Sequence, residues 1–146
     1  MQKTVLLVES DDQNVASFQN AFREAGCDGV MHILRSSAET IRFLAGDPPY
    51  DNRERYPVPT LLLLAIDIVR PGGADVLRWL QARGEIKKRL PIVVLSPVGS
   101  DQEMEAAYAW GANSYLVKPP AFPALVVLVR ELSHYWLNLN RLPQLG

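Results

Sequence analysis

The chain has 146 residues, 48% of them hydrophobic and 21% charged, with a net charge of −1, which fits one domain able to bury a core. So even a balance leaves no electrostatic footprint for nucleic acid or an anionic membrane; no leader-like segment opens the chain and no apolar run reaches membrane-spanning length. The lone Cys27 excludes an internal disulfide and suits a reducing compartment, so a cytoplasmic location is expected.

Thr4 to Val8 (TVLLV) reads as a buried strand. After Glu9 and Ser10, Asp11 or Asp12 caps a helix carrying Val15, Phe18, Phe22 and Ala25, and Gly26 stops it. Val30 to Leu34 is a second strand. Ser36 with Glu39 makes a capping box for a short helix ended by Gly46. Residues 47–59 (DPPYDNRERYPVP) form a long exposed loop, of a kind more often functional than idle, although a tolerated surface insertion has the same composition.

Leu61 to Ile66 is apolar throughout, as a central strand buried on both sides must be, and it breaks at Asp67 and Pro71-Gly72-Gly73. Asp75 to Arg83 is helical, closed by Gly84. Pro91 to Ser96 is the fourth strand. Ser100 and Glu103 form a second capping box, opening a helix that runs to Trp110 with Gly111 as its stop. Ser114 to Val117 is the fifth strand, followed by Lys118-Pro119-Pro120. A final helix spans 121–139, leaving a tail at 140–146. This βα alternation implies an α/β domain, a doubly wound five-stranded parallel sheet with helices on both faces.

The strand C-termini gather Glu9 and Ser10, Ala65 and Asp67, Ser96 and Lys118. In open α/β sheets, chemistry collects at that edge. Acids, a hydroxyl and a lysine there are the parts of a phosphoryl-transfer site that uses a divalent metal.

On these residues the chain resembles the receiver domain of two-component response regulators, over nearly its whole length. The carrying pieces are LLVESDD at 6–12, LLLLAID at 61–67, VLRWL at 76–80, PIVVLS at 91–96 and GANSYLVKP at 111–119. The loop at 47–59 and SHYWLNLN at 133–140 are similar to the single-domain, phytochrome-associated subgroup. The resemblance implies a flavodoxin-like (βα)5 fold. It also implies an aspartate ending strand three that takes phosphate from a histidine kinase, beside an acidic pair holding Mg²⁺. A Ser or Thr and a lysine then grip the phosphoryl group, and an aromatic three residues before the lysine turns inward upon activation. Glu9, Ser96, Tyr115 and Lys118 match the first acid, the hydroxyl, the aromatic and the lysine.

Three positions depart from that pattern. Ser10, next to Asp11, stands where the metal-binding aspartate belongs, and a neutral hydroxyl is a poor ligand for a hard cation. Without gaps from Pro59 to Trp79, the phosphoacceptor position falls on Ala65, which cannot be phosphorylated. Pro97 follows the switch hydroxyl, where family members use a backbone N–H that proline lacks. The expectation is a degenerate pseudo-receiver with no catalytic residue, no cofactor, and Mg²⁺ binding weak or absent. In a rival register Asp67, four residues before Pro71-Gly72, is the acceptor, at the cost of two inserted and two deleted residues. A third alternative, a small nucleotide- or flavin-binding protein, meets a repulsive acidic run at residues 9–12.

His32, His134 and Cys27 read as structural, since none has a metal-ligand spacing partner. Lys87-Lys88-Arg89 reads as a solvated loop. Without a phosphoryl group, Lys118 is expected to pair with Glu9 or Asp67. The apolar face of the last helix is too wide for a single stripe. Together with Met104, Tyr108, Trp110, Tyr115 and Trp136 it suggests a contact surface. The expected function is therefore protein–protein signalling without enzymatic activity. The expected partners are a sensor histidine kinase or another signalling protein, and a second copy through the final helix.

Overall fold

The computed structural model describes residues 3–143. Five strands, β1 (Thr4–Val8), β2 (Val30–Leu34), β3 (Leu61–Leu64), β4 (Ile92–Ser96) and β5 (Ser114–Val117), form one parallel sheet in the order β2-β1-β3-β4-β5. In the register, Val8 lies opposite both Leu34 and Leu64, and Leu64 opposite Val94. β1 and β3 therefore end level with one another, and β4 runs two residues farther, to Ser96.

Successive strand residues point to opposite faces, and here both faces are covered, which is why the central strands carry no polar alternation. Leu6, Val8, Leu62, Leu64, Ile92 and Val94 pack under α2 (Ser37–Ala45), α3 (Asp75–Gln81), α4 (Gly84–Lys87) and α5 (Asp101–Ala109). Val5, Leu7, Leu61, Leu63, Val93 and Leu95 pack under α1 (Asp12–Glu24) and α6 (Phe122–Ser133). The last helix continues as a wider π-type turn over His134–Leu139 and buries Leu137 in the same layer. Among the described residues, no helix is long and apolar enough to cross a membrane.

Two local expectations change. Gly84 does not close the third helix, which ends at Gln81; it opens the short α4 instead. The Ser100 box is half formed: Ser100 Oγ accepts the Glu103 N–H at 3.2 Å, but the Glu103 side chain turns away from the helix end. At α2, Ser36 Oγ accepts the Glu39 N–H at 3.1 Å, and Glu39 reaches back past the cap to the Arg35 N–H at 3.4 Å, so the box closes one residue early.

The 47–59 loop is exposed along much of its length but anchored from beneath. Arg53 donates to the carbonyls of Phe43, Leu44 and Tyr56 at 3.0–3.2 Å, completing the end of α2. Tyr50 and Tyr56 meet Phe43 at ring distances of 5.0 and 5.8 Å, and His32 lies 5.7 Å from both Phe43 and Tyr56. His32 is thus a packing residue, and burial lowers its pKa.

Candidate functional site

A cleft of about 350 Å³ opens where the strands end, lined by residues that include Glu9, Ser10, Ala65, Asp67, Ser96 and Lys118. The fold brings these residues together, along with Asp11, Asn14, Pro97 and Glu103. Ala65 sits one residue past β3, held by its N–H to Val8 O at 2.9 Å. Its methyl group faces the α1/α6 layer. Asp67 lies farther out and exposed, its Oδ1 accepting the Val69 N–H at 3.0 Å. The loop beyond it is drawn tight, because a Cβ on Gly73 would stand 2.0 Å from the Asp67 carbonyl oxygen. Only glycine allows that approach.

The acidic residues serve local backbone. Glu9, 5% exposed, accepts the Asp11 N–H at 3.1 Å. Asp11 caps α1 by accepting the Asn14 N–H at 3.0 Å. With Asp67 closing its own turn, all three carboxylates hold local backbone amides, and Ser10 contributes only a neutral hydroxyl. Among the described residues, no three His, Cys, Asp or Glu side chains are grouped to hold a metal ion. Mg²⁺ keeps much of its water shell and is held through one or two carboxylates; here Glu9, Asp11 and Asp67 line the cleft while each accepts a backbone N–H, and Ser10 adds no charge.

Ser96, 2% exposed, is also engaged: its Oγ accepts from the N–H groups of Val98 and Gly99, each at 3.2 Å. Pro97 stands exposed between them with no N–H to offer. Gly99 adopts φ +70°, and a Cβ there would strike Val117 Cγ2 at 2.7 Å. The β4–α5 loop is thereby clasped between Ser96 and β5.

Lys118 does not meet the expectation for its partner. The ion pairs among the described residues are Arg35–Asp12, Arg78–Asp75 and Lys88–Glu85. Lys118 pairs with neither Glu9 nor Asp67; its Nζ donates to Asn14 Oδ1 at 2.9 Å and lies 5.2 Å from the Phe18 ring centre. A neutral amide and an aromatic face, both from α1, hold the cation in place of a carboxylate. The sequence reading passed over Asn14; its signal was a polar residue one turn beyond the cap, on the helix edge that faces the strand ends.

Tyr115 points inward. Its hydroxyl donates to Glu103 Oε1 at 2.8 Å. Burial first, and the Glu103 carboxylate next, push its pKa above the usual phenol range. Its N–H, on the open side of the edge strand, donates to Tyr108 Oη at 3.2 Å. Glu103 is 8% exposed, and the sequence pattern shows it only as a capping residue. Its place four residues before buried Ala107, on the inward face of α5, was the available signal.

The candidate contact residues do not form one patch. Met104 and Tyr108 are exposed on α5. Trp110 packs toward α3, with Arg78 over its ring at 5.0 Å. Trp136 lies in the other layer, beside a groove of about 300 Å³ lined by Leu116, Leu128, Leu132 and Tyr135.

Comparison with known proteins places this geometry. Residues 5–130 match the response regulator receiver domain family. The chain is 32% identical to the probable methanogenesis regulatory protein FilR2 of Methanothrix harundinacea, over 95% of this chain and 86% of that one. The crystal structure of response regulator RPA3017, in red light signaling of R. palustris, superimposes with a TM-score of 0.89 at 28% identity, covering 98% and 99% of the two chains. The phosphorylated cyanobacterial phytochrome response regulator RcpA shares the fold, with a TM-score of 0.84 at 24% identity, covering 99% of this chain and 100% of that one.

Proposed function

This chain belongs to the response regulator receiver domain family, and on that premise we propose that it is a receiver of two-component signalling that works without phosphorylation of its cleft. One observation carries the reading. The strand-three position that would present a nucleophile holds the methyl group of Ala65, while the nearby Asp67 carboxylate is spent on its own loop. The neutral Ser10, the missing Pro97 N–H and the engagement of Lys118 with Asn14 point the same way.

Mg²⁺ has little to bind, and the protein acts through contacts and not as an enzyme. In the receiver family the aromatic three residues before the lysine turns inward upon activation. Here Tyr115 is inward and held by Glu103. The chain thus rests in the signalling-competent arrangement with an internal carboxylate supplying the hold. Its partners are a sensor histidine kinase or another cytoplasmic signalling protein, and a second copy through the final helix. That helix exposes Val127, Tyr135 and Leu139.

Incubation with acetyl phosphate and Mg²⁺, followed by intact-mass measurement, tests this reading. The expected spectrum contains only the unmodified chain. A phosphoryl adduct that disappears in Asp67→Ala would overturn it and establish the second reading, in which Asp67 is the acceptor. That reading draws on the position of Asp67 in the wall of the same cleft.

A further inference from the structure

At the opposite end of the sheet from the cleft, α3, α4 and the end of α5 meet. Gln81 Nε2 donates to Ala109 O at 3.2 Å, and Lys87 lies against Gly111, where an added Cβ would come within 3.2 Å of its Cε. Arg78 lies over Trp110 at 5.0 Å, and Arg83 over Trp79 at 4.0 Å. Two of the chain's three tryptophans therefore back guanidinium groups on this one surface.

The charge here is one-sided. Asp75 pairs with Arg78 at 3.6 Å and Glu85 with Lys88 at 3.4 Å. Among the described residues, Arg83, Lys87 and Arg89 have no acidic partner. The chain as a whole carries −1, so this end is positive against an acidic cleft end. Lys87 is half-buried, and burial lowers its pKa, so an anion beside it would recover solvation lost on folding.

We propose that this indole-backed basic face docks an acidic peptide segment of a partner protein, one presenting clustered Asp or Glu carboxylates. Arg83 Nη1 donates to Trp79 O at 3.0 Å and Arg78 pairs with Asp75, which leaves the remaining N–H groups of each guanidinium to meet a carboxylate's two oxygens. Stacking also fixes two long side chains before the partner arrives, which lowers the ordering cost of association. A long polyanion such as a nucleic acid fits less well, because its charge would extend beyond the patch toward Glu9, Asp11, Asp12 and Asp67.

The full chain, ¹⁵N-labelled, is titrated with a hexaglutamate peptide while the indole N–H resonances are followed. Saturable shifts are expected at Trp79 and Trp110 and none at Trp136, with affinity falling roughly tenfold between low and high salt. Arg83→Ala combined with Lys87→Ala should weaken binding roughly tenfold or more while leaving the rest of the spectrum in place; both changes lie outside the core. Unmoved Trp79 and Trp110 resonances would overturn the proposal, as would equal affinity in the double variant. Tighter binding of a short oligothymidylate than of hexaglutamate would overturn it in favour of a phosphate-reading surface.

Discussion

Ala65 and Ser10 each differ from a working acid by a few atoms, and those atoms decide what the cleft binds. Because the backbone around them is intact, Ser10→Asp with Ala65→Asp should install metal affinity, by roughly tenfold for each carboxylate restored. Mn²⁺ broadening of the Ser96 and Lys118 resonances is the measurement. The parent chain should show little broadening and the double variant saturable broadening. Tyr115 invites a second test. Its phenol pKa is raised in the fold, so its contribution is full below the unfolded value of about 10 and is lost as pH rises through the higher folded value. Tyr115→Phe should cost about 1 kcal/mol at neutral pH and flatten the fall of the urea midpoint above about pH 10. A variant as pH-sensitive as the parent would remove Glu103 from its role as the hold.

The 47–59 loop shows what one arginine does for an element. Arg53→Ala strips hydrogen bonds from three carbonyls, two of them at the α2 end, so the loop should become the first site of limited proteolysis, with about 2 kcal/mol of stability lost. His32 beneath it adds a pH dependence. Its pKa is lowered in the fold, so its support is present above the unfolded value of about 6.5 and is lost as pH falls through the lower folded value. Protection against proteolysis should therefore decline as the pH falls below about 6.5, and His32→Phe should remove that decline. The central strands were legible in the sequence because two-sided burial forces continuous apolar runs, the half-buried edge strands through their short aliphatic and aromatic segments, and the main helix ends because Gly26, Gly46 and Gly111 mark left-handed stops. Arg53 was not legible, since a charged residue in a proline-rich loop looks the same whether it meets solvent or carbonyls. Gly84 misled because α4, four residues long, lacks enough sequence for a period. In the cleft, the members at the strand ends could be read from the strand pattern. The partners of Lys118 and Tyr115 could not, because they come from α1 and α5 and depend on how those helices are seated.

At the scale of the molecule, seven of the ten large apolar residues exposed among the described residues, Met104, Tyr108, Val117, Phe122, Val127, Tyr135 and Leu139, lie on α5, β5 and the last helix, while Val58, Val69 and Val98 lie on loops. If two copies associate there, Val127→Glu with Tyr135→Glu should lower the association constant by roughly a hundredfold in sedimentation velocity. Dimers of undiminished strength would move the contact away from the final helix.

The Tyr108 hydroxyl, meanwhile, occupies the N–H of Tyr115 on the sheet's outer margin, as a bung stops a cask. A visiting protein that pulled this ring toward itself would uncork the margin and bare a ribbon amide to whatever extended chain lay nearby. The α5 ring and the edge-strand amide thus share a single hydrogen bond.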